Sequence, residues 1–285
     1  MRSYIDCVHC YLRQVVTCMV NAGVDEDTQY RVIYEMMDYV KGFDINDTPA
    51  ENSSKALLKA YELIGVQDPF EKAKKESNDL ALSLYPKLKE IVKNSEDSLY
   101  QALKVAVAGN IIDLGINRSY DIDAALQHSL KTGFSKNDYE FFVRKLQNTK
   151  EVLFLGDNAG EIVFDRLLVE ELVQRGKKIT YVVKDGPILN DSTLSDAIYA
   201  SMDEVAEIIT TGNNFLGVSL KRVPESFLDR LKNAELIISK GQANFESLES
   251  ENLVKGKIFF LLKIKCYDVG RVAEAEFGDV VFIAG

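Results

Sequence analysis

The sequence predicts an α/β protein in which a mostly parallel, doubly wound sheet follows an N-terminal all-helical part. Up to residue 148, apolar residues recur at the spacing of amphipathic helices, and no long period-two alternation interrupts them. From residue 149 onward, short apolar runs alternate with helical segments, as expected for strands that helices cover on both faces. We therefore expect a helical domain over residues 1–148 and an α/β domain over residues 149–285.

The helical part is predicted to contain about seven helices. The first apolar stripe consists of Leu12, Val15, Val16, Met19 and Val20. Further stripes cover residues 32–40, 69–92 and 99–114. Glycines at positions 23, 42, 65 and 115 mark the breaks between these helices.

The α/β part is predicted to contain five clear strands and one further candidate. The clear strands are residues 152–155, 179–183, 236–238, 258–262 and 280–283, and the candidate is residues 207–210. A helix from Glu161 to Gln174, ended by Gly176, connects the first two strands. This order of strands and helices is typical of a doubly wound sheet.

Composition and charge argue against several classes of protein. The chain has 285 residues, of which 46% are hydrophobic and 27% charged, a balance typical of soluble globular proteins. A net charge of −10 without a long basic run argues against nucleic acid as a partner. No long charge-free apolar run and no signal-peptide core occur, so no membrane partner is expected. Cysteines at positions 7, 10, 18 and 266 are too few for a disulfide framework, which favours a reduced, cytoplasmic protein.

The most informative segment is the run Gly-Asp-Asn-Ala-Gly-Glu at residues 156–161, between the first strand and its helix. Ligands of open α/β sheets bind beyond the carboxyl ends of the strands, which is where this run lies. Asp157 and Asn158 offer hard oxygen ligands for a cation such as Mg²⁺ or Mn²⁺. Gly156 and Gly160 permit a tight turn, and the following helix offers amide donors to an anion. Taken alone, the run also fits a simple turn with an Asx cap.

Two further strand ends carry polar residues. Asn190 and Asp191 follow the second strand, and Lys240, Gly241 and Asn244 follow the strand at residues 236–238. Each segment alone fits a capped helix, but a shared edge with oxygen ligands and a cation predicts a site for a metal and a phosphate. One more segment, residues 263–266, is basic and also follows a strand; it is interpreted as a solvated strand end.

Other catalytic motifs are absent. The chain has no Gly-x-Gly-x-x-Gly fingerprint, no Walker loop and no Gly-x-Ser-x-Gly elbow in these positions. Residue 159 is alanine, so no second aspartate stands two residues after Asp157, as an aspartyl-phosphate mechanism requires. This absence favours water over aspartate as the nucleophile.

These segments resemble the damage-control metal-dependent phosphatases, also called the acidic-residue-methyltransferase-like family. The resemblance rests on residues 156–165, Asn190-Asp191 and residues 240–246. It extends to the Gly-Asn-x-x-Asp element at residues 109–113. Cys7-x-x-Cys10 is similar to the Cys-x-x-Cys motif that distinguishes subfamily I of this family. In the family, the element that contains residues 109–113 usually begins with an arginine. Lys104 stands at that position here, so the two parallel hydrogen bonds that a guanidinium donates to an anion are lost.

The resemblance implies a helical part packed on an α/β metal-binding domain, with a divalent cofactor (Mn, Ni, Co or Mg) held by Asp157, Asn158 and Asp191. Lys240 corresponds to the phosphate-facing lysine of the family, so Asp157 and Lys240 are the predicted catalytic residues. The predicted substrate or phosphate contacts are Asn110, Asp113, Gly160, Glu161, Asn190, Gly241 and Asn244.

The expected function is hydrolysis of small phosphomonoesters, such as damaged or side-product sugar phosphates or nucleotides, by a metal-activated water. Two alternatives remain at this point, an S-adenosylmethionine-dependent carboxyl methyltransferase and a non-catalytic metal-binding protein. Cys7 and Cys10 lie three residues apart on a predicted helix. They fit a second metal site, a redox pair, or small buried residues without a chemical role.

Overall fold

The computed structural model describes residues 1–111 and 130–285. The predicted site residue Asp113 lies outside these residues, and so does the side chain of Asn110. Within the described ranges, no helix combines the length and the apolar character needed to cross a bilayer.

The first three helices form a small bundle with its own core. They are α1 (Ile5–Asn21), α2 (Glu26–Val40) and α3 (Pro49–Ile64). The side chain of Asp25 caps the start of α2 by accepting a hydrogen bond from the amide of Thr28. The side chain of Thr48 caps α3 by accepting one from the amide of Glu51. The bundle core consists of Tyr11, Val15, Met19, Val32, Met36, Ala56 and Ala60. The opposite side of α3 packs against Ile188 and Leu216 of the α/β part.

A second set of helices covers one face of the sheet. It comprises α4 (Glu71–Lys93), α5 (Ser98–Ile111), α6 (Tyr139–Gln147), α7 (Glu161–Gln174) and α8 (Leu194–Tyr199), followed by a 3₁₀ turn (Met202–Glu204). Helices α4 and α5 pack closely on α7. Because α7 is therefore buried from both sides, nearly all of its residues, including Glu161 and Asp165, are withdrawn from solvent.

The sheet has seven strands among the described residues. They are β1 (Lys136–Asn137), β2 (Glu151–Leu155), β3 (Lys178–Val183), β4 (Glu207–Thr210), β5 (Leu236–Lys240), β6 (Ile258–Lys263) and β7 (Val280–Ala284). Their spatial order is β1-β7-β6-β5-β2-β3-β4. All neighbouring pairs are parallel except β6 and β7.

Three helices cover the other face of the sheet, namely α9 (Glu225–Asn233), α10 (Gln242–Leu248) and α11 (Tyr267–Ala273). Along β2, Val152 and Phe154 point into the core under α7, while Leu153 and Leu155 point to the opposite core. Strands β2 to β7 each contribute residues to both cores in this way, which explains the continuous apolar runs of the sequence.

The predicted fold class is confirmed, because all six predicted strands and the helix at residues 161–174 are present. The structure adds β1, a two-residue strand within residues 1–148 that pairs with β7. A pair of residues is too short to give a period-two pattern, so the sequence did not indicate it. Segments from both sides of residue 148 build the same layers, and the division into domains there remains a prediction.

Candidate functional site

The carboxyl ends of β2, β3 and β5 lie at a topological switch point of the sheet. From β2 the chain continues to β3 and β4 on one side, and its later strands β5, β6 and β7 lie on the other side. Strand β2 lies between β5 and β3, so the loops after these strands flank one crevice. Asn158 and Asp191 pair through their backbones as an isolated antiparallel bridge. The amide of Ala159 donates to the carbonyl of Asn190 over 2.8 Å, and the amide of Ser192 donates to that of Asp157 over 2.8 Å. The first two predicted loops are therefore held together by main-chain hydrogen bonds.

Gly241 brings the third loop against the first. Its φ angle is +80°, and a Cβ atom there would lie 1.9 Å from Oδ2 of Asp157. A side chain is thus excluded by contact as well as by backbone conformation. Gly156 also permits close packing, because a Cβ there would lie 2.5 Å from the hydroxyl of Tyr181. Gly241 thus lies directly against the Asp157 carboxylate, and Gly156 leaves room for the ring of Tyr181.

Asp157 and Asp191 are buried carboxylates that lie within electrostatic range of one another. Burial, Glu161 and Asp191 raise the pKa of Asp157 well above its usual value, against the opposing effect of Lys265 and Lys240. Burial likewise raises the pKa of Asp191 to about 6, although Lys184 opposes it. In each case the ionised form lacks sufficient positive charge, which a bound cation supplies.

One oxygen of Asp191 has no hydrogen-bond donor among the described residues. This oxygen, Oδ2, is buried, and the ammonium of Lys184 lies 3.6 Å away, beyond hydrogen-bond distance. Lys184 instead donates to the carbonyl of Gly217. Buried carboxylate oxygens are normally satisfied, so this one is available as a ligand.

The amide of Asn158 is oriented by two carboxylates. Its Nδ2 donates to Oε1 of Glu161 over 2.7 Å and to Oδ2 of Asp157 over 3.1 Å. Because both neighbours are acceptors, the amide nitrogen must face them. No described residue donates to the amide oxygen, which therefore stays available as a ligand.

The predicted metal ligands fit a hard divalent cation. Two carboxylates and an amide oxygen are the donors that Mg²⁺ and Mn²⁺ take in proteins. In the described part of the chain, no three His, Cys, Asp or Glu side chains are grouped so as to hold a metal by themselves. The set therefore depends on the amide of Asn158 and on the Asp191 oxygen that has no hydrogen-bond donor among the described residues.

Lys240 lies beneath this crevice. Its side chain is fully buried, and its ammonium donates to the carbonyl of Ala106 over 2.8 Å, to Glu161 over 3.2 Å and to Asp165 over 2.6 Å. Burial alone lowers the pKa of a lysine, but Asp165 and Glu161 raise that of Lys240 above its ordinary value. All three ammonium protons have protein acceptors, so this is not the phosphate-facing geometry that the resemblance implies.

Three other predicted contacts serve the loops themselves. The amide of Gly160 donates to Oδ1 of Asn78 over 2.6 Å, so it does not offer its proton to an anion. Asn244 donates to the carbonyls of Gly156 and Lys240, over 3.0 and 2.8 Å, and thereby joins β2 to β5. Asn190 contributes its backbone carbonyl to the contact with Ala159.

The sequence did not single out Asn78, and it treated Lys265 only as part of a solvated strand end. Asn78 lies on α4, 82 residues before its partner Gly160, and no local motif indicates such a pairing. Lys265 follows β6 and is exposed, with its amide held by the side chain of Gln242 over 3.0 Å. Its ammonium has no hydrogen-bond or ion-pair partner within the described residues, and its charge acts on Asp157. Its exposure agrees with the interpretation as a solvated strand end, and only its electrostatic effect on Asp157 was not predicted.

Cys7 and Cys10 are free, half-buried thiols on α1. The sulfur of Cys7 accepts from the amide of Tyr4 over 3.4 Å, and that of Cys10 accepts from Arg13 over 3.6 Å. Burial raises the pKa of Cys7, which lowers its thiolate fraction at neutral pH. A role for this pair in metal binding or redox chemistry remains a prediction.

Sequence comparison matches the chain to one family over almost its whole length. The model of the damage-control phosphatase ARMT1-like domain matches residues 3–281. A damage-control phosphatase of Archaeoglobus fulgidus is 33% identical, over 96% of this chain and 96% of its own. The uncharacterized protein MJ0202 of Methanocaldococcus jannaschii is 36% identical, over 98% of this chain and 94% of its own.

Structural comparison gives the same result. The crystal structure of a DUF89 family protein, PH1575 of Pyrococcus horikoshii, superposes with a TM-score of 0.91 at 30% identity. The superposition covers 100% of this chain and 99% of the other. The protein of that name is called a damage-control phosphatase, and it is 31% identical over 99% of this chain and 97% of its own.

Proposed function

Since the chain belongs to the damage-control phosphatase ARMT1-like domain family, we propose that it is a metal-dependent phosphatase acting on small phosphomonoesters. Its substrates would be damaged or side-product phosphometabolites, such as sugar phosphates or nucleotides, in the cytoplasm. The observation that carries the proposal is the buried pair Asp157 and Asp191, in which Oδ2 of Asp191 has no hydrogen-bond donor among the described residues, together with the oriented amide of Asn158.

Asp157, Asn158 and Asp191 would hold a divalent Mn, Ni, Co or Mg ion, and oxygen ligands of this kind discriminate weakly among these metals. Such an ion, when bound, supplies a Lewis acid for the phosphate and lowers the pKa of a bound water. Asp157 has its carboxylate fixed against Gly241, so it would also orient the attacking water. This double role is the reason for assigning Asp157 to catalysis.

The charges around the crevice support a divalent cation and one further positive group. Four buried acidic side chains, Asp157, Glu161, Asp165 and Asp191, surround the crevice together with two buried lysines, Lys184 and Lys240. A divalent ion would stabilise the ionised form of its carboxylate ligands. A phosphate dianion then requires additional positive charge, and the exposed Lys265 is the candidate for this contact.

Turnover of p-nitrophenyl phosphate tests the proposal. The chelated protein should be inactive, and one of the four divalent ions should restore phosphate release. Asp191→Asn should reduce kcat at least 100-fold, because a lost charge-stabilising ligand costs about 3 kcal/mol in the barrier. Phosphate release at the wild-type rate by this variant would contradict the proposed ligand set.

The same experiment separates the two alternative functions. Methyl transfer from S-adenosylmethionine without phosphate release would support a methyltransferase. Metal binding without turnover of any phosphomonoester in a panel of phosphorylated metabolites would support a binding protein.

A further inference from the structure

A chain of buried hydrogen bonds leads from the core of the sheet to the proposed metal ligands. The hydroxyl of Tyr181 donates to Oδ2 of Asp165 over 2.8 Å, and Oδ1 of Asp165 accepts from Lys240 over 2.6 Å. Lys240 also contacts Oε2 of Glu161 at 3.2 Å, and Oε1 of the same carboxylate accepts from Asn158 over 2.7 Å. Glu161 thus links the two side chains, because its Oε2 accepts from Lys240 and its Oε1 accepts from Asn158.

Lys240 is the fixed point of this chain. It is fully buried, and its third donor is taken by the carbonyl of Ala106 in α5. A side chain with every donor satisfied by rigid elements has little freedom to turn toward a substrate. Its hydrogen bonds reach the crevice through Glu161, because that carboxylate is the partner it shares with Asn158.

We propose that Lys240 is a positioning residue, which holds Glu161 so that the amide oxygen of Asn158 faces the metal. The inference rests on the proposed metal site and replaces the phosphate contact predicted for Lys240. Outer partners that orient a metal ligand typically account for 10–100-fold in metal affinity. Removing Lys240 should therefore weaken metal binding while leaving the affinity for phosphate nearly unchanged.

The sign of the effect distinguishes positioning from simple electrostatics. A buried ammonium close to a divalent cation repels it, so charge alone predicts that Lys240→Met binds the metal more tightly. Positioning predicts the opposite, because Glu161 loses its anchor and Asn158 can rotate its amide. A direct phosphate contact predicts a third result, a loss of phosphate affinity without weaker metal binding.

Glu161→Asp provides a second variant that keeps every charge. Its side chain is one methylene shorter, so it cannot reach both Lys240 and Asn158. The matched control is Glu171→Asp, the same substitution on the same helix, where the buried carboxylate bonds to Arg175 and Ser98 instead. Circular dichroism and thermal unfolding identify any variant that does not fold.

The experiment measures binding of Mn²⁺ to the chelated full chain by electron paramagnetic resonance, then binding of inorganic phosphate at saturating Mn²⁺. Lys240→Met and Glu161→Asp should each raise the Kd for Mn²⁺ by 10–100-fold, with the Kd for phosphate within about threefold of wild type. Glu171→Asp should match wild type in both. Should Lys240→Met not fold, Glu161→Asp alone decides the inference, because a wild-type Kd for Mn²⁺ in that variant refutes it.

Tighter or unchanged Mn²⁺ binding by Lys240→Met, or a selective loss of phosphate affinity, overturns the positioning role. If wild-type turnover still depends on Mn²⁺, such a result leaves the proposed phosphatase function intact. A wild-type protein that neither binds Mn²⁺ nor shows metal-dependent turnover overturns the proposed function, and the positioning role with it.

Discussion

Gly241→Ala should separate the close approach at the crevice from ordinary backbone strain. Gly241 has φ +80° and ψ 164°, a region that essentially only glycine occupies, so a residue with a Cβ atom there costs about 1–3 kcal/mol of stability. The Cβ would also stand 1.9 Å from Oδ2 of Asp157, so the two atoms must move apart by about 1 Å. A displacement of this size at a reacting centre costs about 100-fold in rate.

Gly256→Ala is the matched control for this variant. Its φ is +73°, and nothing lies within 4 Å of the added Cβ, so it carries the backbone cost alone. Urea unfolding should show a loss of about 1–2 kcal/mol for Gly256→Ala and a larger one for Gly241→Ala. Only Gly241→Ala should lose about 100-fold in kcat/KM for p-nitrophenyl phosphate. Equal kcat/KM values for the two variants would refute the steric role of Gly241.

Three further predictions concern charge near the crevice. Lys265→Gln should raise KM for a phosphomonoester about tenfold with little change in kcat. The control is Lys255→Gln, at an exposed position before the start of β6, which should change neither KM nor kcat. An equal response of both variants would argue for a general charge effect. Burial raises the pKa of Glu246 to about 7, so the folded state loses roughly 3 kcal/mol of stability as pH rises from 4 to 8. Glu246→Gln should remove this loss and raise Tm at pH 8 more than at pH 5, and an unchanged pH dependence of Tm would contradict it. Mn²⁺ at 100 times its Kd should stabilise the wild type by about 2.7 kcal/mol but not Asp157→Asn, as thermal unfolding with and without the ion would show.

The sign of the Glu246 effect follows from linkage. The folded chain keeps the proton of Glu246 up to about pH 7, because burial raises its pKa, while the exposed carboxyl of the unfolded chain loses its proton near the ordinary pKa of 4.5. The stabilisation is therefore complete below pH 4.5 and is lost as pH rises through 7.

The location of the candidate site could be predicted from sequence because strands and their ends leave local patterns. Continuous apolar runs identified β2, β3 and β5, and glycine and polar residues directly after them marked the loops that carry Asp157, Asn158 and Asp191. The bridge between Asn158 and Asp191 agrees with that prediction, because carboxyl ends of neighbouring parallel strands must share one edge.

The fold class and the end of the sheet at which the polar residues gather could be predicted from sequence, since both depend on periodicity along the chain. The role of each side chain there depends instead on tertiary contacts. Lys240 follows the same strand-end pattern as a substrate-binding lysine, yet contacts with Ala106 and Asp165 bury it beneath the crevice. In the sequence, Lys240 is 134 positions from Ala106 and 75 positions from Asp165. No local spacing encodes which way its long side chain points.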